Sequence, residues 1–366
     1  MYDYVIVGAG ISGLYAAHLL RNTDTIILDK NSYIGGRVKS TEFHGSTIQL
    51  GAGIPRAQDY RVRMLAEELG IPYEIFYSDI KYFDESSEWF NDILNSLTPK
   101  KGKTFLQVLE EKYSPSVVKK WISLCDFNDF LDADSFDTLM YYPTRDMLHQ
   151  PKAHVYLEGG YGNLIEKLAK KVKADIRLNT CVMEIIKEHN DFRVVLDNNT
   201  TILTKQVILA TDYSGLKIKI TPEPKIMKHF RKEIGTNEFL RIYTYHKKMP
   251  LKNALLHKKL RLIFPISDNV LLSGYSANEQ AQNILKMKDY DAYLQKEFKV
   301  SPVEDKIIQY WKIGTHYFKK GYSHNLRHYS KDGLTIVGEM LSHNQGWCEG
   351  ALESVEEWFW TKIKLI

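Results

Sequence analysis

Residues 4–13 read YVIVGAGISG, and residues 25–37 read TIILDKNSYIGGR. Tyr4-Val5-Ile6-Val7 is an unbroken apolar run of the kind buried in a parallel sheet. Gly8, Gly10 and Gly13 follow in GxGxxG spacing, and helical periodicity runs from Leu14 to Leu20. Thr25-Ile26-Ile27-Leu28 makes a second apolar strand that ends at Asp29. Each glycine has a physical reason. At Gly8 the chain turns tightly, at Gly10 the backbone approaches a pyrophosphate, and at Gly13 helix and strand pack closely. The helix start, Ile11-Ser12-Gly13, offers free N–H groups and partial positive charge to phosphates. Asp29, followed by Lys30, stands about 20 residues past the first glycine and can accept hydrogen bonds from a ribose. The whole unit predicts a dinucleotide site. A second corner, Gly35-Gly36-Arg37, turns the chain back towards the pyrophosphate, where Arg37 can bring a guanidinium fork.

Bulk properties limit the alternatives. The chain of 366 residues is long enough for two intergrown domains, and a net charge of +4 is slight for that size. Basic residues are dense between Lys217 and Arg261, but no nucleic-acid motif accompanies them, so a solvated lysine-rich face is expected. The three cysteines, Cys125, Cys181 and Cys348, form no CxxC pair, which predicts neither a zinc site nor a disulfide framework. A reducing, cytoplasmic setting follows as the expectation. The N-terminal apolar run, preceded by Asp3 and broken by glycines, reads as a first strand and not as a signal peptide. No apolar stretch reaches the length of a membrane span. Trp358 to Ile363 is expected to form a packed terminal helix. His316, His324 and His328 match no zinc spacing and read as solvated or packed.

Glycine corners recur further along. YLEGGYGNLIEKL, from Tyr156 to Leu168, gives a turn and an amphipathic helix. Strands are expected over 174–179, 181–187, 192–196 and 202–210, with Asn198-Asn199 as a hairpin turn. The last of these ends in Ala210-Thr211, small residues suited to close cofactor approach. Leu334 to Glu357 repeats the order strand, turn, helix. These blocks predict an α/β fold: a discontinuous Rossmann-like domain on a doubly wound sheet, formed by 1–78, 152–215 and 321–366. Segments 79–151 and 216–320 are then the two parts of an inserted α+β substrate domain. Within them helices are expected at 103–113, 116–130 and 278–298, and strands at 239–245, 260–265, 270–275 and 307–311.

Several of these segments together resemble the flavin-containing amine oxidase superfamily. DKNSYIGGR (29–37) is similar to its second corner, and Gln49-Leu50-Gly51-Ala52-Gly53, followed by Ile54, to the loop beside the flavin ring. The family often has an acidic residue where Gln49 stands. Glu158-Gly159-Gly160 resembles its central double glycine, and Val182 falls where the family clamps adenine through backbone atoms. Gly338-Glu339 and Gly346-Trp347-Cys348-Glu349-Gly350-Ala351 resemble its closing motif. The resemblance implies FAD, with Gly36, Arg37, Gly338 and Glu339 at the pyrophosphate and ribityl arm and Gly350-Ala351 at the flavin. It implies noncovalent binding too, since the segment that carries the linking cysteine in covalent relatives is here Gly314 to Tyr317. The activity it implies is hydride transfer from the carbon beside an amine nitrogen, with molecular oxygen reoxidising the flavin and releasing hydrogen peroxide.

Two aromatic rings commonly flank the substrate amine in this family. Trp347 matches one position, and Tyr317 is a candidate for the other, with core packing an equal reading for that tyrosine. Many members carry a lysine on a substrate-domain strand; the matching strand here offers Arg241. Arginine stays charged and relays no proton readily. It can bind a substrate carboxylate, mark slow oxygen reactivity, or sit on an edge strand facing solvent. The chain is shorter than typical members. That keeps three rivals open: a flavin desaturase or isomerase of a non-amine substrate, a nicotinamide enzyme, and a protein that retains FAD without turnover.

Overall fold

The computed structural model describes residues 1–363 apart from 79, 82–83, 126, 142–146 and 324–326, so His324 lies outside the described residues. A nine-stranded sheet carries the glycine corners. From one edge it runs Lys219–Thr221, Val182–Glu188, Asp191–Leu196, Thr201–Leu209, Tyr2–Val7, Thr25–Leu28, Asp175–Arg177. Leu334–Ile336 lies parallel to the C-terminal half of Thr201–Leu209, and Tyr329–Lys331 pairs with it in turn. In the parallel centre Val5 stands opposite both Val207 and Ile26. These strands read as continuous apolar runs because both faces are covered. Ile6, Ile27 and Ile208 pack under the helices Ile11–Leu19 and Cys348–Ile363. Val5, Ile26 and Val207 point to the other side, against Phe192 and Phe230. Trp358 is buried in the first of these cores, as a packed terminal helix requires.

A second, six-stranded sheet runs in the order Val303–Phe318, Ile234–His246, Val270–Ala277, Arg261–Pro265, Ala254–His257, Ile80–Lys81. Beside it the helices Asp84–Asn95, Phe105–Lys112 and Pro115–Ser123 build a separate core around Phe90, Phe105 and Trp121. Thr104 and Gln107 close a reciprocal capping box at the second of these helices, and Pro115 opens the third.

The two halves are joined by long strands. Ile234 pairs with Phe318 inside the core of Phe192 and Phe230 on the other face of the first sheet, while His246 pairs with Val303 at the far end of the second sheet. The strand expected at 307–311 therefore extends over Val303–Phe318, because its partner Ile234–His246 is itself long. Lys219–Thr221 and the helix Lys225–Glu233 pack with the first sheet, beyond the segment limit expected at 215. The single helix expected over 278–298 is two, Asn278–Leu285 and Tyr290–Phe298, the first closed by a tight turn from Met287 N–H to the Ile284 carbonyl.

Candidate cofactor and active site

A cavity of about 790 Å³ lies where the strand ends of the first sheet face the second. Gly8, Gly10, Ile11 and Ser12 line it from the first corner, Asp29 and Lys30 from the next strand end, and Gly36 and Arg37 from the second corner. Gly51, Ala52, Gly53 and Ile54 face it from one loop, with Val182, Thr211, Gly338, Glu339, Trp347 and Ala351 from others and Arg241 from the second sheet. Residues more than 300 apart in sequence are thus gathered on one wall.

Three expected residues are not among the lining. Gly13 packs helix on strand: a Cβ there would sit 1.9 Å from the Gly8 carbonyl oxygen. Gly350 does the same for the last helix, where a Cβ would lie 2.4 Å from the Asn344 carbonyl oxygen. Tyr317 pairs with Gly235, and its ring covers that residue so closely that a Cβ on Gly235 would reach Cζ at 2.2 Å. By Tyr317 the strand has left the cavity, and Phe318 enters the core around Phe192 and Phe230. Trp311, earlier on the same strand, does face the cavity, with Nε1 donating to the Leu50 carbonyl at 2.7 Å.

The first two corners fit a dinucleotide. Gly35 N–H bonds the Ala9 carbonyl at 2.8 Å, which sets the corners back to back. A Cβ on Gly10 would meet nothing closer than the Gly35 oxygen at 3.9 Å, so its open side faces the cavity. The first-turn N–H groups of the helix behind it have no intrahelical acceptor. Asp29 does more than the sequence foresees. Its Oδ2 accepts from Ala9 N–H at 2.7 Å and its Oδ1 from Asn31 N–H at 2.8 Å, locking both turns while leaving lone pairs for a ribose.

Arg37 is committed within the protein as well as facing the cavity. Nη1 donates to the Gly314 carbonyl at 2.8 Å and Nη2 to Glu339 Oε2 at 2.9 Å. Glu339 is a junction. Its Oε2 also accepts from His316 Nδ1 at 2.6 Å, and its Oε1 accepts from the N–H groups of His316 (3.2 Å) and Gly346 (2.5 Å). Burial pushes this carboxyl up, but the adjacent His316 ring and Arg37 guanidinium, with those donors, hold it well below the usual carboxylate range. Asp212, on the same wall, is likewise raised by burial and lowered overall by Arg37 and by hydrogen bonds from Ser214. His316, expected to be solvated or packed, is buried behind the cavity lining, with its ring against Glu339 and the Tyr213 backbone nitrogen.

Past this cradle the wall turns apolar, with Phe127, Phe239, Phe264, Leu262 and Trp311. Asp129 stands among them. Burial raises its carboxyl to about 6, against a hydrogen bond from Thr315 that lowers it, and Oδ1 has no hydrogen-bond partner among the described residues. Arg241 is 5 % exposed and its strand runs between two others, which removes the edge-strand reading. Its Nη1 donates to the Gln49 carbonyl at 2.7 Å, which also accepts from Tyr243 OH at 2.6 Å. The guanidinium lies over Gly53, where a Cβ would be 2.7 Å from Nη2. Trp347 reaches the cavity backed by Arg56, whose guanidinium carbon stands 4.1 Å from the ring centroid and whose charge is paired with Asp59. Cys348 also lines the cavity, yet burial pushes its thiol up to about 12, which leaves it protonated and unreactive at neutral pH. Among the described residues no group of His, Cys, Asp and Glu could hold a metal ion, and no helix is long and apolar enough to cross a membrane.

Comparison with known proteins converges on these features. The family described as flavin containing amine oxidoreductase matches residues 90–237, and an NAD(P)-binding Rossmann-like domain matches residues 6–69. Polyamine oxidase 3 of Oryza sativa subsp. japonica is 25% identical over 263 residues, 61% of this chain and 54% of that one. The chain thus spans about half the length of the curated relatives it matches. Among solved structures, cyclohexylamine oxidase from Brevibacterium oxydans IH-35A superposes with a TM-score of 0.80 at 14% identity, over 97% of each chain. Putrescine oxidase bound to putrescine gives 0.75 at 15% identity over 99% of each. The fold is that of the FAD amine oxidases, and the cofactor that the glycine corners fit is FAD. Two sequence matches, a shared architecture and the convergence of the corners at Gly8 to Gly10, Gly35 to Arg37 and Gly338-Glu339 on one cavity agree: the chain is similar in fold and in its cofactor cavity to the flavin-containing amine oxidase superfamily.

Proposed function

We propose that this protein is an FAD-dependent oxidase of a small amine. The observation that carries the reading is the junction of a dinucleotide cradle with an apolar, aromatic chamber that holds, among the described residues, the carboxyl of Asp129. Bound FAD would supply the hydride acceptor for oxidation of the carbon beside nitrogen to an imine, with molecular oxygen as the final acceptor giving hydrogen peroxide. The chain's own part is to bind, orient and dry the substrate. Phe127, Phe239, Phe264 and Trp311 remove water from its apolar portion. Asp129 attracts the ammonium head, and Trp347 offers a ring face to it. Arg241 holds the Gln49–Gly53 loop against the second sheet. Noncovalent attachment is supported by the protonated thiol of Cys348 and by the absence of cysteine from 314–317. The three free cysteines fit a reducing, cytoplasmic setting.

Two measurements test the reading. Purified protein should be yellow, and anaerobic mixing with a panel of amines should bleach the flavin, followed by peroxide when air is admitted. Colour without bleaching by any amine favours a non-amine substrate or a protein that keeps FAD without turnover, and a colourless protein that ignores added FAD ends the proposal. Asp29→Ala should lose flavin during desalting, with affinity down by about tenfold or more, because the acceptor of the Ala9 and Asn31 N–H groups and of the ribose is removed at once. Unchanged flavin content after the same desalting would remove the ribose assignment.

A further inference from the structure

The His316 ring occupies a position that nothing above requires of a packing residue. Its side chain is buried, Nδ1 lies 2.6 Å from Glu339 Oε2, and Nε2 lies 3.1 Å from the backbone nitrogen of Tyr213. Tyr213 N–H can only donate, so the Nε2 lone pair must accept, and the ring is neutral with its hydrogen on Nδ1. One imidazole thereby spans three segments: the strand Val303–Phe318 of the second sheet, the turn after Thr201–Leu209, and Glu339 after Leu334–Ile336.

Glu339 poses a physical problem that this arrangement answers. It is a buried carboxylate on the wall where the two corners converge, 2.9 Å from the guanidinium that faces the same space. A buried anion near a bound diphosphate destabilises the complex unless its lone pairs are filled and its orientation is fixed. Arg37 fills one site on Oε2, the Gly346 and His316 N–H groups fill Oε1, and the imidazole completes Oε2. Of these donors only the imidazole is a side chain carried by the second sheet.

We infer that His316 is a positioning residue for the cofactor: its neutral Nδ1–H tautomer fixes Glu339, and through Glu339 fixes Arg37, so that the second sheet helps to set the affinity for FAD. This rests on the reading that the cavity holds FAD. Donor and acceptor can be separated chemically. Asn places an amide N–H close to where Nδ1–H stood, and Gln places an amide oxygen close to where Nε2 stood.

The test uses the full chain stripped of flavin and titrated with FAD, read by flavin fluorescence quenching. His316→Asn should bind within about threefold of wild type, because the charge-assisted donor is kept. His316→Gln and His316→Leu should both bind about tenfold or more weakly, since the Glu339 donor is lost. Equal loss in all three variants would reduce His316 to packing, and no loss in any would remove the role. If the leucine variant does not fold, the Asn and Gln pair carries the comparison. A second readout needs no flavin. Long-range proton–nitrogen correlations of histidine-labelled apoprotein, assigned by His316→Asn, should show a protonated Nδ1 and a bare Nε2; the reverse tautomer or an imidazolium overturns the inference. A wild type that binds no FAD but shows the expected tautomer would instead count against the flavin reading.

Discussion

Gly13→Ala is expected to yield a protein that neither keeps FAD nor tolerates moderate heat, whereas Gly10→Ala should lose FAD and keep its melting temperature. The two glycines stand three residues apart in one motif, yet their surroundings differ. A Cβ on Gly13 would fall 1.9 Å from the Gly8 carbonyl oxygen and 3.4 Å from Ile6 Cγ2. Neither neighbour can yield, because Gly8 is held by its N–H bond to the Leu28 carbonyl and Ile6 is fully buried in the central strand. The helix must lift off the sheet, at a cost of about 3 kcal/mol or more. In a chain of 366 residues that lowers the melting temperature by roughly 4 °C or more. Lifting the helix also carries its N-terminal N–H groups away from the phosphates. On Gly10 the added methyl projects towards the cavity and meets no protein atom closer than 3.9 Å, so the fold is spared and only the approach of the pyrophosphate is blocked. Thermal melts of the two apoproteins, with flavin content per chain, check both halves. A Gly13→Ala protein that melts like wild type would mean that helix and strand do not pack as described.

That contrast also shows what the sequence can and cannot disclose. The corners at Gly8–Gly13 and Gly35–Arg37 are legible because their demands are local. A backbone turn, a helix start and a strand end must follow within a few residues of one another, and glycine is the residue that permits them. The parallel core is legible for a related reason, since strands covered on both faces lose the alternation that marks a half-exposed sheet. Other roles depend on registers set far away. His316 reaches Glu339 only because Leu334–Ile336 docks beside Thr201–Leu209, and Trp311 reaches Leu50 across 261 residues. Nothing adjacent to either residue announces the partner. Tyr317 illustrates the reverse error. Its type suits an aromatic wall, but the pairing of Ile234 with Phe318 has already drawn that end of the strand into the core around Phe192 and Phe230. For Arg241 it is sheet order and not composition that removes the edge-strand reading, since its strand lies between two others. The one signal that could have reached Trp311 and His316 is the length of the β-compatible run from Val303 to Phe318, whose 16 residues exceed the usual strand and extend from the second sheet to the core of the first.

Asp129→Asn should raise KM for cationic amines by about tenfold to a hundredfold, the range for losing a charged hydrogen bond, with a smaller effect on kcat. The pH dependence gives the sharper check. Burial lifts the Asp129 carboxyl to about 6, so it ionises as pH rises through that value and only then attracts an ammonium group. In wild type, KM for an amine that stays protonated should fall as pH rises from 5 to 7, and in the Asn variant that limb should vanish. Stability runs the other way. Because the folded value lies above the ordinary aspartate value of 3.8, the native state holds the extra proton between about pH 4 and 6. The favourable contribution is therefore complete below about 4 and is lost as pH climbs through 6, leaving an ionised carboxylate that costs the fold about 3 kcal/mol at most. Asp129→Asn should accordingly melt higher than wild type at pH 8 and at nearly the same temperature at pH 4. A site selected only for stability would not keep such a group, whereas a cavity that must hold a cation gains from an acid whose remaining lone pairs the protein leaves open. An Asn variant with unchanged KM and no gain in melting temperature at pH 8 would mean that the Asp129 carboxyl is already satisfied and that the ammonium is held elsewhere.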